Sequence, residues 1–378
     1  MGKFSQAKQI TWIGFTDISS SIISAIFWFY IASSIDPEKY GNISYLLGVS
    51  GLVQIFASII PAQVVTVDTS KEIRLQTTYF IILMISSVVS SIVMSIWFSR
   101  LDVGILIFGL SIAGFSMAIM IGKKHYKKYA KYILLQKVLL VIFGFGLFHL
   151  AGFNALIYGV GLSFFIFIPF LLKEIKYDKF DLSNLKLRSK FIVDTYILMV
   201  VSGLRREIDK LIIPLILGFA VLGNYSLSIQ SVMMLMVIPS SIFKYTLPRD
   251  SVGQNTEKIQ KYLLVFAVIA SVLSIFLLPG VISKAFPKYS DAISMIQIMS
   301  LSVIPLSLSS NYSSKLLGQS ISRPIIISNV IHLSTLISCI FLLGVTYGTI
   351  GLASSHVIAA VAQCIYLHIT KNYKFNRI

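Results

Sequence analysis

Apolar residues do not alternate along this chain and do not recur in narrow stripes. They run in blocks of about 20, the length a helix needs to cross a bilayer. The blocks fall at 12–35, 41–63, 76–98, 102–122, 131–149, 152–172, 191–218, 221–243, 259–280, 291–314, 324–344 and 347–369. Short polar segments separate them and leave no room for a soluble catalytic domain. The longest, 173–190, divides the chain near its middle. The expectation is an all-α polytopic membrane protein of about 12 transmembrane helices. It would comprise an N-terminal six-helix lobe (1–172), a cytoplasmic linker (173–190) and a C-terminal six-helix lobe (191–378). The first block follows a short basic start with no cleavage site, so it reads as a retained span rather than a signal peptide.

A weak repeat runs through the halves. Gly41-Asn42-Ile43-Ser44-Tyr45, Gln54 and Pro61 in the second block match Gly223-Asn224-Tyr225-Ser226-Leu227, Gln230 and Pro239 in the eighth. Tyr158-Gly159 and Gly161 in the sixth match Tyr347-Gly348 and Gly351 in the twelfth. Repeats in the same orientation imply a pseudo-two-fold axis along the membrane normal.

Composition agrees: 56% of the 378 residues are hydrophobic and 12% charged, about half the usual charge of a soluble protein. The net charge of +17 suggests either nucleic acid or membrane topology. Position decides. With the N-terminus inside, 24 of the 32 Lys and Arg fall in cytoplasmic segments. Only Lys39, Arg100, Lys284 and Lys288 fall outside. This asymmetry follows the positive-inside rule and removes the nucleic-acid reading. Both termini are expected in the cytoplasm, with the basic segments on anionic membrane lipids. The two cysteines, Cys339 and Cys364, suggest no disulfide, and the five histidines are scattered and suggest no metal site. No ATP-binding motif or catalytic constellation occurs, so neither enzyme activity nor a cofactor is expected. The sequons at Asn42, Asn224 and Asn311 lie in or beside spans and carry no glycan reading.

The seventh block breaks the apolar pattern with Arg205, Arg206, Glu207, Asp209 and Lys210. A charge at the bilayer centre costs roughly 2.5–3.5 kcal/mol, so these groups face a cavity or each other. Helical spacing pairs Arg205 or Arg206 with Asp209, and Glu207 with Lys210. It also sets Ser202, Arg205, Arg206, Asp209 and Ile213 on one side. Two alternatives stay open. The cluster could be a structural ion-pair network. Alternatively, residues 191–204 could lie on the membrane surface with the charges in a loop. Asp17, Asp209 and Glu207 are candidates for a coupling proton or cation, Asp17 being equally open to satisfaction by neighbouring hydroxyls. Gln54, Gln230 and Asn311 are candidate substrate contacts, or helix-to-helix hydrogen bonds. Pro61, Pro214, Pro239 and Pro305 mark expected kinks or breaks.

Several segments resemble the polysaccharide-biosynthesis (O-antigen, Wzx-like) flippases of the multidrug/oligosaccharidyl-lipid/polysaccharide exporter superfamily. The turn Asp36-Pro37-Glu38-Lys39-Tyr40-Gly41 is similar to the family's turn between its first two helices, with Asp36 replacing a glycine. Asp209, Lys210, Gly218, Gly223, Tyr225 and Ser226 carry a second match, with Pro214 replacing a glycine. The segment IPSSIFKYTLPRDS resembles the family's Pro-containing end of helix eight, and TYGTIGLASSHVIA, through Gly348, Gly351 and Ala353, resembles its twelfth helix. The resemblance implies two lobes around a V-shaped cavity that opens alternately to the two membrane faces. It implies flipping of a polyprenyl-pyrophosphate-linked oligosaccharide for surface polysaccharide, such as lipopolysaccharide O-antigen. Arg205 and Arg206 would meet the pyrophosphate, with Asp209, Lys210, Gln54, Gln230 and Asn311 in the same cavity. Pathway glycosyltransferases and a polymerase are then expected partners, in the inner membrane of a prokaryote. The alternatives are a cation-coupled multidrug or small-solute antiporter of the same superfamily, and a membrane scaffold for glycosyltransferases.

Overall fold

The computed structural model describes residues 3–175, 180–251, 256–319 and 321–370, with side chains from residue 14 onward except at 244, 248 and 251. Among the basic positions used for topology, Lys176, Lys179, Lys371, Lys374 and Arg377 lie outside the described residues, as do the side chains of Lys3, Lys8 and Lys244.

The described chain is all-helical, as the apolar blocks require. In lipid a helix satisfies its own backbone hydrogen bonds. The helices are α1 (Lys3–Ser34), α2 (Pro37–Ala57), α3 (Ala62–Ser70), α4 (Gln76–Phe98), α5 (Leu101–Gly122), α6 (Tyr126–Ala151), α7 (Leu156–Ser163) and α8 (Ile168–Glu174). They continue with α9 (Leu182–Leu217), α10 (Phe219–Leu235), α11 (Val237–Ser251), α12 (Glu257–Ala285), α13 (Ser290–Ser300), α14 (Val303–Gly318), α15 (Arg323–Cys339) and α16 (Val345–Thr370).

Three apolar blocks are bent rather than straight: α2 with α3 by 46°, α10 with α11 by 45°, and α13 with α14 by 42°. Pro61, Pro239 and Pro305 sit at or just after these bends, where the missing amide opens the helical ladder. Pro214 behaves differently. It lies inside α9, which continues to Leu217 and ends at Gly218 with φ 88°. A wide π-turn (Ile340–Gly344) leads from α15 into α16, and the reversal occurs at Gly348 (φ 57°, ψ −130°).

The chain forms two compact units. One comprises Met1–Ser24 and Leu46–Glu207, the other Ala25–Tyr45 and Ile208–Ile378. This grouping is one of packing; the six-and-six division remains a division of the sequence.

In the first unit α5 is the central helix. It is 67% buried, whereas α4 beside it is 11% buried. Small residues let it sit there. A Cβ on Gly104 would stand 2.1 Å from Ser95 Oγ, and one on Gly109 2.9 Å from the Gly161 carbonyl. Ile112, Phe115 and Met120 of α5 share a core cluster with Val64, Tyr79 and Phe167. The lipid-facing side of α4 exposes Ile85, Val89, Ile92, Ile96 and Trp97.

In the second unit Ile213, Tyr225, Met295, Met299, Leu336 and Ala353 form the core. The starts of α2 and α10 cross there at backbone contact. A Cβ on Gly41 would lie 1.9 Å from the Phe219 carbonyl oxygen, and one on Gly223 1.9 Å from that of Pro37. The two glycines are partners in the sequence repeat, and each meets the residue four before the other. The Tyr-Gly match is different. Gly159 lies within α7, where its Cβ would meet the Phe143 carbonyl at 2.6 Å, whereas Gly348 is the reversal itself. Gly351 has the role of Gly159, with a Cβ 1.9 Å from the Leu343 carbonyl.

Candidate functional site

The charge cluster lies inside α9, a continuous 36-residue helix. At 1.5 Å per residue it is about 54 Å long, well beyond the roughly 30 Å hydrocarbon thickness. The charges therefore lie within a helix and not in a loop. The helix passes from the first unit to the second at Glu207–Ile208, within the cluster.

On the first-unit side, Arg206 Nε pairs with Glu207 Oε1 at 3.4 Å. The Arg206 side chain is 62% exposed and that of Glu207 14%. Glu207 packs on Gly51 of α2, and Gly203 packs on Ile55. Arg205 is half-buried. On the second-unit side, Asp209 is buried. Its Oδ2 accepts the Tyr225 hydroxyl of α10 at 2.9 Å, and its Oδ1 accepts the Lys210 amide at 2.8 Å. Tyr225 is fully buried and Lys210 half-buried.

The five residues expected on one side thus split. Asp209 and Ile213 enter the second unit's core while Arg206 stays exposed. Three residues rotate a helix by 300°, which leaves Arg206 60° away from Asp209. The Arg206–Glu207 pair joins sequence neighbours rather than residues three or four apart.

The remaining candidates are dispersed. Asp17 is half-buried on α1, within electrostatic range of Tyr129. Ser20 and Ser21 donate to its backbone carbonyl at 3.1 and 2.7 Å. Gln54 donates to Ser58, just past the end of α2, at 2.8 Å. Gln230 is half-buried on α10, and Asn311 is buried on α14. Asp17, Gln54, Arg205, Arg206 and Glu207 belong to the first unit; Asp209, Lys210, Gln230 and Asn311 belong to the second.

Three polar sets escaped the sequence reading. Asp68 at the end of α3, 1% exposed, receives both the Nη2 and the Nε of Arg188, the latter at 3.2 Å, and the Tyr79 hydroxyl at 2.6 Å. Asp250 on α11 accepts Ser314 at 2.5 Å and Thr256 at 2.6 Å. The third set corrects the view of scattered histidines. His332 and His356, both buried, lie twelve residues on either side of Gly344, and the α15–α16 reversal brings their rings to 6.3 Å. Nearby in sequence, Gln363 donates to Asn329 at 3.2 Å. No cluster of three or more metal-ligating residues occurs among the described residues.

No protein-family model matches the sequence, nor does any curated protein. Solved structures do match. An inward-facing multidrug resistance MATE family transporter of the MOP superfamily superposes with a TM-score of 0.71 at 15% identity, over 94% of this chain and 93% of that one. Lipid II flippase MurJ, in an inward closed conformation, gives 0.73 at 15% identity over 94% and 86%. A MOP superfamily transporter from Pyrococcus furiosus, described as having a binding pocket of reversed polarity, gives 0.63 at 14% identity over 96% and 94%. The chain has the fold shared by these membrane transporters.

Proposed function

We propose that the chain is a flippase for a lipid-linked oligosaccharide, moving a polyprenyl-pyrophosphate-linked glycan unit across the cytoplasmic membrane by alternating access. The observation that carries this reading is the charge balance of α9. Glu207 is paired with Arg206, and Asp209 is engaged by Tyr225 and the Lys210 amide. The cluster carries three cations, Arg205, Arg206 and Lys210, against two carboxylates, Glu207 and Asp209. A guanidinium offers two parallel donors to a phosphate. Arg205 and Arg206 are the groups proposed to hold the pyrophosphate, with Lys210 adding charge; Gln54, Gln230 and Asn311 are proposed sugar contacts. The likeness of fold to the lipid II flippase supports a lipid-linked substrate. The distribution of the basic segments supports cytoplasmic termini.

A second reading, a multidrug antiporter, is favoured by the likeness to the MATE transporter. Pocket polarity separates the two, and an organic cation calls for an acidic site. The test is transfer of a fluorescent polyprenyl-pyrophosphate glycan in proteoliposomes. Arg205→Ala with Arg206→Ala is expected to lower the rate at least about 100-fold, from two charge-assisted hydrogen bonds worth roughly 1.5–3 kcal/mol each, with insertion unchanged. An unaltered rate in the double variant, or cation-driven export of organic cations by the native chain without glycan transfer, refutes the flippase reading.

A further inference from the structure

The first unit holds a cavity that the charges of α9 do not line. It measures about 690 Å³ and lies between the turn joining α3 to α4 and the turn joining α5 to α6. That is within the usual range for small-ligand sites, roughly 300–1,000 Å³. Its lining includes Thr69, Arg74, Gln76, Lys123, Lys124 and His125.

Local backbone chemistry builds it. Both turns reverse through a left-handed residue, Glu72 at φ 57° and Lys124 at φ 58°. Gly122 lets them approach, since a Cβ there would lie 2.7 Å from Thr69 Cβ and 2.8 Å from the Thr66 carbonyl oxygen.

The cavity wall is positive. Arg74, Lys123 and Lys124 stand against Glu72. Lys123 is committed to Glu174 at 2.7 Å. Among the described residues Arg74 and Lys124 have neither an ion pair nor a side-chain hydrogen bond. The helices α4 and α6 both begin at this wall, capped by no side chain, so their first-turn amides add positive potential. The buried Nδ1 of His125 has no hydrogen-bond partner among the described residues. Thr69, itself buried, contributes a hydroxyl that accepts Gln76 Nε2 at 3.3 Å.

We propose that this cavity binds a phosphoryl group, carried by an anionic lipid head or by a soluble phosphate ester, with Arg74 and Lys124 as its cationic holders. The unpaired cations, the orphan ring nitrogen and the two helix starts all suit a tetrahedral anion. The site is independent of what the chain transports.

The test uses the full chain in two preparations. In nanodiscs, native mass spectrometry compares retention of phosphatidylglycerol with that of phosphatidylcholine. In neutral detergent, thermal shift follows titration with inorganic phosphate and with glycerol 3-phosphate. Binding in at least one preparation is expected, weakened about tenfold or more per cation removed in Arg74→Gln/Lys124→Gln. The charge-matched Lys186→Gln/Lys190→Gln variant, on an exposed part of α9, should bind normally. Retention of phosphatidylglycerol alone assigns a lipid head, and a shift with the soluble anions alone assigns a phosphate ester. Binding in neither preparation, or equal loss in both double variants, overturns the proposal. If Arg74→Gln/Lys124→Gln does not fold, Ser70→Trp intrudes on the cavity without removing charge and should weaken binding; normal binding by that variant equally overturns it.

Discussion

The crossing of α2 and α10 makes a quantitative prediction. Gly41→Ala places a methyl 1.9 Å from the Phe219 carbonyl oxygen, against 3.4 Å at the near edge of ordinary contact. The obstacle is backbone, so the helices themselves must part, by about 1.5 Å. Parting them also loosens the edge-on packing of Tyr45 on Phe219, whose ring centres are 5.6 Å apart. Overpacking of this kind costs typically 1–3 kcal/mol. Alanine returns roughly 0.5–1 kcal/mol of helix propensity, so a net loss of about 1.3 kcal/mol is expected. Gly223→Ala should cost the same, because its methyl meets the Pro37 carbonyl at the same distance. The decisive variant is the double one. A single separation of the helices relieves both clashes while each alanine still returns its propensity, so the pair should cost about 0.5 kcal/mol rather than about 2.5, a coupling of about −2 kcal/mol. Reversible unfolding in mixed micelles measures all three. Gly114→Ala on α5 is the control: it has open space around its Cβ and should be neutral or stabilising by up to about 1 kcal/mol. Additive losses at 41 and 223, or single losses no greater than that of Gly114→Ala, refute the reciprocal crossing.

Three further outcomes are expected. Gly348→Ala has free space but a backbone at φ 57°, ψ −130°, so it should cost about 1–3 kcal/mol from strain alone, read by the same unfolding assay. Arg188→Ala strands the carboxylate of Asp68 in the first unit's interior and should cost about 3–5 kcal/mol; Asp68→Asn with Arg188→Met should recover most of it. A loss of under 1 kcal/mol in the single variant refutes that role. Between α1 and α2, the hydrogen bond and charge of Lys288, aided by Lys39, hold the Asp36 carboxyl below its ordinary value of 3.8. Its folded value is depressed, so the stability it adds is present above pH 3.8 and lost as pH falls through and below that value. Lys288→Gln should flatten the dependence of unfolding temperature on pH between about 5 and 3. An unchanged slope removes the linkage.

The apolar blocks made the all-helical membrane fold legible, because block length is a local property. The α9 cluster was equally visible as an interruption of an apolar run. Its partners elsewhere in the chain were not: the Asp209 carboxylate accepts the hydroxyl of Tyr225, sixteen residues on. Nothing near Asp68 points to Arg188, 120 residues away. The break between the blocks 324–344 and 347–369 marked the turn, but not that folding α16 back along α15 would bring His332 and His356 together. The repeat was legible at Gly41 and Gly223 because backbone contact demands glycine at both. It misled at Tyr158-Gly159 and Tyr347-Gly348, where two glycines with different duties share a neighbour.

The unequal burial of α4 and α5 bears on how this sequence can drift. The two helices are similar in length and apolarity, and a hydropathy profile treats them alike. Most of α4 borders lipid, a solvent that accepts any apolar side chain, so Ile85, Val89, Ile92 and Ile96 can exchange among Leu, Val, Phe and Met with little penalty. On α5, Gly104 and Gly109 each fit against one particular neighbour, and a change there needs an answering change on α4 or α7. Among homologues α4 should therefore preserve a composition and α5 an order of residues. A search that weights all apolar positions equally counts the drift of α4 against a match and misses the constancy of α5.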